Sequence, residues 1–231
     1  MSLAGEGAIA IWHDIAPEGR EEFYAWHGEE HMPERVGIPG FLRGRRYVAI
    51  EAGLEFFNLY EALSPQVLTG QDYRLRLDNP TPWTLAAVRH FRSVARSICR
   101  VTATFGRAQG GLIGTWRYDV PADAAERHRR ALTERVLPEL VGRRGVAGAH
   151  LLVADVEASA VDTAERKARG EPTRVPGWIL LVEGWGDERP FGELCRAALS
   201  SEILGQLGGS EAEFGLYRLQ TSRAKTAWSP G

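Results

Sequence analysis

The chain has 231 residues, 44% hydrophobic and 25% charged, enough to bury one large core or two domain cores of roughly 100 residues each. Its formal charge of −2 lacks the basic excess of a nucleic-acid binder, and no run of about 18 apolar residues is present to cross a membrane. Cys99 and Cys195 are isolated thiols, which argues against a disulfide framework and for a reduced, cytoplasmic setting, and no signal peptide is expected at the N-terminus.

In chain order, apolar runs predict strands over residues 8–14, 41–51, 55–62 and 97–105. Between the first two, residues 18–37 predict a helix, because Phe23, Trp26, His27, Glu30, His31 and Glu34 recur at spacings of three and four. Pro65 and Pro82 open two further helical pieces broken at Asp78-Asn79-Pro80, the second carrying His90, Phe91 and Val94 on one face. The series then starts again, with strands over 111–119, 146–156, 178–186 and 215–222 and helices over 122–141 and 191–207. HMPERVGIPGFLRGRRYVA, from His31, aligns without a gap with VLPELVGRRGVAGAHLLVA, from Val136, at an offset of 105. Gly40 and Gly145 stop the helix in each copy. FFNLYEAL and WILLVEGW align at an offset of 122, so the second copy carries an insertion, placed at about 157–175 and expected as a polar surface loop, partly helical. The predicted fold class is therefore α+β: two tandem ferredoxin-like βαββαβ repeats, residues 1–108 and 109–231, with antiparallel sheets packed into an α+β barrel so that each covers the other's bare face.

WHGEEHMPERVGIPGFLRGRRY, with the later NPTPWT, HFR and CRVTATFG, resembles the dimeric α+β barrel superfamily, and most of all its tandem and EthD-like members. Their first helix typically reads Trp-Tyr-Asp-Glu-Glu-His-x-Pro-Glu followed by Pro-Gly-Phe. Trp26, Glu29, Glu30, His31, Pro33, Glu34, Pro39, Gly40 and Phe41 match that pattern, while His27 and Gly28 depart from it. The resemblance implies a cleft between sheet and helices near the helix histidine. It leaves the activity open among polyketide cyclases, quinone-forming monooxygenases, lactone isomerases, haem enzymes and proteins without a known reaction.

His27 and His31, four apart, stack on one helix face with Glu30 and Glu34 at neighbouring positions. Three readings follow. His31 acts as a general acid/base partnered by Glu30; or His27 and His31 chelate a metal with His13 or a glutamate; or the histidines are structural. At the offset of 105, His27, His31 and Trp26 become Leu132, Val136 and Ala131, so the second copy has replaced these positions with aliphatic ones. The leading expectation is a cofactor-independent enzyme acting by proton transfer on a small apolar or aromatic carbonyl compound, as a cyclase, isomerase or monooxygenase-like protein does. His31 and Glu30 are the catalytic pair, and His27, His13, Trp26 and Tyr47 bind substrate. The alternative is a non-catalytic binding or assembly protein, or a metal- or haem-binding one. No phosphate loop, dinucleotide fingerprint, CxxC pair or nucleophile elbow is present, so no cofactor is called for. The expected partner is a small-molecule ligand, with no nucleic acid and no membrane, and a homodimer stays open.

Overall fold

The computed structural model describes residues 3–226. Eight strands form it: β1 (Gly7–Ile15), β2 (Phe41–Ala52), β3 (Phe56–Ala62), β4 (Phe91–Gly106), β5 (Leu112–Tyr118), β6 (Val146–Asp155), β7 (Trp178–Gly184) and β8 (Glu213–Ala224). They pair antiparallel in the order β1-β3-β2-β8-β5-β7-β6-β4 and close into a barrel. Each half contributes the ferredoxin-like order of fourth, first, third and second strand. The two sheets do more than face each other: β2 pairs with β8 and β4 with β6, so both sheet edges of each half are used within one chain.

Strand alternation then divides the apolar side chains. Trp12, Tyr47, Phe57, Leu59, Ile113, Leu181 and Tyr217 point into the barrel, where both halves contribute to one core. The outer face of the second half packs on α6 (Ala125–Ala131), α7 (Leu137–Val141), α10 (Glu188–Ala198) and α11 (Ser201–Gln206). The outer face of the first half packs on α1 (Arg20–Trp26), α2 (Met32–Gly37), α3 (Pro65–Thr69), α4 (Gln71–Asp78) and α5 (Pro82–Ala87).

A single π turn, His27–His31, joins α1 to α2. Its cause is Pro33, which has no N–H to give and whose ring crowds the carbonyl four residues back. The helix widens, and the Met32 N–H reaches the His27 carbonyl instead. Pro138 does the same in the second half, where the π turn is Leu132–Val136 and the Leu137 N–H bonds the Leu132 carbonyl. The turn recurs where no histidine is present, so it belongs to the proline and not to the chemistry.

Two sequence expectations need correction. Residues 91–96 form the first part of β4 and not the end of a helix, because Phe91, Arg92 and Ala95 pair with Ile15, Asp14 and Trp12 of β1; His90 ends a short 3-10 turn whose ring fills the space beside Gly19. The insertion is helical in part, as expected, but it packs against the barrel and does not stand free at the surface. It holds α8 (Val156–Ala160) and α9 (Ala164–Arg169) and lies against the first half: Ser159 Oγ accepts from the Ile98 N–H at 2.8 Å, and Arg174 bridges to Ala95 alongside β4.

Candidate functional site

The helix built by Phe23, Trp26 and their periodic successors lays a buried stripe on the outer face of β1, β3 and β4. Strand alternation aims His13, Asn58 and Tyr60 outward at it, and His27 and His31 descend from the π turn. The structure thus brings His13, His27, His31 and Trp26 into one layer. His13 packs against Phe91 at 4.3 Å and Phe23 at 5.2 Å between ring centroids, Phe23 against His27 at 5.4 Å, and His31 against Trp26 at 4.2 Å and His27 at 5.6 Å.

Hydrogen bonds fix two of the three tautomers. Arg46 Nη1, always a donor, lies 3.3 Å from His27 Nδ1, so Nε2–H of His27 donates to the Tyr60 hydroxyl oxygen at 3.1 Å. His13 Nδ1–H faces the Asp14 carbonyl at 3.3 Å, so its Nε2 accepts from Asn58 Nδ2 at 2.9 Å. His31 is different. It is 7% exposed, and its Nδ1 is buried with no partner.

Burial holds all three imidazoles neutral, and arginines reinforce it. His13 is pushed down to about 3 by burial, with Arg169 and Arg46 adding to the effect. His27 is held well below its ordinary value by burial and then Arg46, and His31 by burial and then Arg35. Burial pushes the Tyr60 phenol up, so it too is uncharged.

Glu30 is not the partner of His31. Its carboxylate accepts from Thr81 Oγ1 at 2.6 Å and Thr84 Oγ1 at 3.1 Å, fastening the start of α5 beside Trp26, whose Nε1–H also donates to Thr84 Oγ1 at 3.1 Å. Consecutive helix residues do not face one another, which is why adjacency in sequence misplaces this pair. Tyr47 does not join the site either. Its odd position on β2 turns it into the barrel, 5.5 Å from Phe57 between ring centroids, with a buried hydroxyl that has no partner. Tyr60, on the outward face of β3, takes the place foreseen for it.

A metal has no donor set here. Among the described residues no group of three His, Cys, Asp or Glu side chains converges, and both ring nitrogens of His13 and His27 are already bonded. The chelate reading of His27, His31 and a third ligand therefore does not fit this geometry.

Several neighbours were invisible to the sequence reading. Arg35, 3% exposed, ion-pairs with Glu34 at 2.7 Å and with Glu165 of α9. The insertion of the second half is thereby clamped to the first half, with Ala168 packed against the Phe23–Trp26 cluster. Two cavities among the described residues, of about 690 and 470 Å³, are lined by neither His27 nor His31.

No protein-family model matches the sequence, and no curated protein sequence matches it. Solved structures do, over nearly the whole chain. An anthrone oxidase-like protein is 12% identical with a TM-score of 0.62, covering 97% of this chain and 95% of its own. A candidate monooxygenase from Fusobacterium nucleatum is 8% identical with a TM-score of 0.59, covering 96% of each chain. Another from Lactobacillus acidophilus is 9% identical with a TM-score of 0.56, covering 95% of this chain and 96% of its own. At these identities the likeness is one of fold: the chain has a ferredoxin-like α+β barrel, as these structures do.

Proposed function

We propose that the chain is a cofactor-independent, monooxygenase-like enzyme that removes a proton from a small apolar or aromatic carbonyl compound, with His31 as the base. The observation that carries this reading is the unpartnered, buried His31 nitrogen in a layer whose other histidines are fully bonded. A buried polar atom without a partner costs about 1–3 kcal/mol, a cost that a ligand's hydroxyl or acidic C–H relieves. Burial and Arg35 disfavour the imidazolium of His31 on its own, and in the proposed reaction the enolate or phenolate formed beside it offsets both as an ion pair, within the field of Arg35 and Arg46. Trp26, His27 with Tyr60, and His13 with Asn58 form the wall; Glu30 acts as a positioning residue through Thr81 and Thr84.

The neighbour described as anthrone oxidase-like suggests a probe. Anthrone has an acidic methylene across its central ring from the carbonyl and conjugated with it through the fused benzene rings, and exchange of that methylene in D2O reads proton transfer without needing an oxidant. Wild-type protein is expected to accelerate exchange, and His31→Ala to lose at least tenfold of that acceleration. Equal acceleration by the variant would remove His31 from the role.

One observation favours a second reading, a binding or assembly protein without turnover: the Arg35–Glu165 clamp holds α9 against the first half, and His27 and His31 are buried beneath their neighbours. Absence of exchange with wild type, for anthrone and for simpler aryl ketones, selects it.

A further inference from the structure

A cavity of about 120 Å³ lies between α4, β4 and the α8–α9 insertion, so residues of both halves line it. Its apolar side includes Leu68, Leu77, Ile98 and Val161. Its polar side is cationic: Arg74, Arg96, Arg166 and Arg169 all line it, and the one acid among the lining residues, Glu165, is taken by Arg35. Arginines elsewhere in the chain mostly have carboxylates, as Arg20, Arg43, Arg45, Arg117 and Arg129 do. These four make no ion pair among the described residues. Arg96 donates to the Tyr73 hydroxyl at 3.0 Å, Arg166 to the Ala160 carbonyl at 2.7 Å, and Arg169 Nη2 to Thr173 Oγ1 at 2.6 Å. Arg169 Nε is buried with no partner at all. Burial holds the Arg169 guanidinium below its ordinary value, and Arg96 and Arg166 push the same way against Glu165.

Converging guanidiniums beside an apolar wall, with a buried donor left open, are complementary to one kind of molecule. We propose that this cavity binds the carboxylate of a small organic acid, with the anion on Arg169 and Arg96 and the apolar part of the ligand against Ile98, Leu68 and Val161. The site is separate from the His31 reading and does not depend on it. Because α9 supplies Arg166 and Arg169 while β4 supplies Arg96, a bound carboxylate ties the insertion to the first half.

The test is a titration at constant ionic strength, by calorimetry and by thermal shift, of the full chain with sodium benzoate and sodium hexanoate. Benzyl alcohol, hexan-1-ol and inorganic phosphate are run in parallel. Saturable binding of at least one carboxylate is expected, with the alcohols and phosphate at least tenfold weaker. Arg169→Met is expected to weaken the carboxylate at least tenfold, and Arg166→Gln, a milder change nearer the surface, severalfold. If Arg169→Met does not fold, Arg166→Gln and Arg96→Met carry the comparison. No saturable carboxylate binding, equal binding of the alcohols, phosphate as tight as the carboxylates, or unchanged affinity in the folded variants each overturns the proposal.

Discussion

His13, His27 and His31 are neutral for a shared reason, burial among aromatic rings with arginines close by. The unfolded chain has no such environment, so its imidazoles take up protons near pH 6.5 while the native ones do not. Stability contributed by these residues is therefore complete above pH 6.5 and lost as pH falls from there toward about 3, where His13 itself titrates. Urea midpoints at pH 7, 6 and 5 are expected to fall steadily, and a flat series would contradict the assignment. Carboxylates blur the result only lower down, where Glu183, held at about 2 by His150 and Arg45 against its burial, begins to count. Thr81 gives a second expectation at this scale. Its Oγ1 accepts from the Thr84 N–H at 3.0 Å as the N-cap of α5 and donates to Glu30, so Thr81→Ala should cost about 1–2 kcal/mol in denaturant melts. Sequence reading found the histidine layer because helical spacing puts His27 and His31 on one stripe. It missed the Glu30–Thr81 bond because those residues lie on different elements.

Among the elements, glycine positions separate backbone need from tolerance. Gly40 sits at φ +84° at the end of α2, and a Cβ there would come within 2.6 Å of Val67. Gly40→Ala is expected to destabilise by about 1–2 kcal/mol. Gly28, exposed in the π turn with nothing near its missing Cβ, should gain about 0.5–1 kcal/mol on change to Ala. Opposite signs in paired thermal melts would establish that the helix stop, and not the π turn, is where glycine is required. The stop was legible in sequence from Pro-Gly-Phe after the helical stripe; the boundary of β4 was not. Val88, Phe91 and Val94 fit a helical spacing, yet pairing with β1 claims residues from Phe91 onward, a tertiary preference that a local pattern does not carry.

For the whole molecule, the barrel interior holds a charged network, with Arg43 and Arg45 on the inward face of β2 by strand alternation and Arg46 on the outward one. Arg43 bonds Glu61 through Nε at 2.8 Å and Nη2 at 2.6 Å, and Arg45 reaches Glu61 at 3.0 Å and Glu183 at 3.0 Å, all of them buried. Glu61 and Glu183 are equivalents at the offset of 122, and His150, the equivalent of Arg45 at 105, lies 3.4 Å from Glu183. Removing one member leaves a buried charge without its counterpart. Glu183→Ala is expected to cost about 3–5 kcal/mol, while Arg45→Met with Glu183→Leu should recover much of that loss. A double variant as unstable as the single one would show that Arg45 has no energetic tie to Glu183.

The sequence by itself determined the order of elements, the recurrence at 105 residues and the stripe that carries Trp26, His27 and His31, because these follow from spacing along a few turns of chain. Tertiary structure alone decided which face each strand shows, sending Tyr47 into the barrel and Tyr60 to His27, and turning Glu30 to α5. It also decided that an insertion from the second half lies over the first, clamped by Arg35 and Glu165, 130 residues apart. Closing a sheet into a barrel fixes inside and outside at once for all eight strands, and that choice depends on pairings between distant segments that no window of sequence contains.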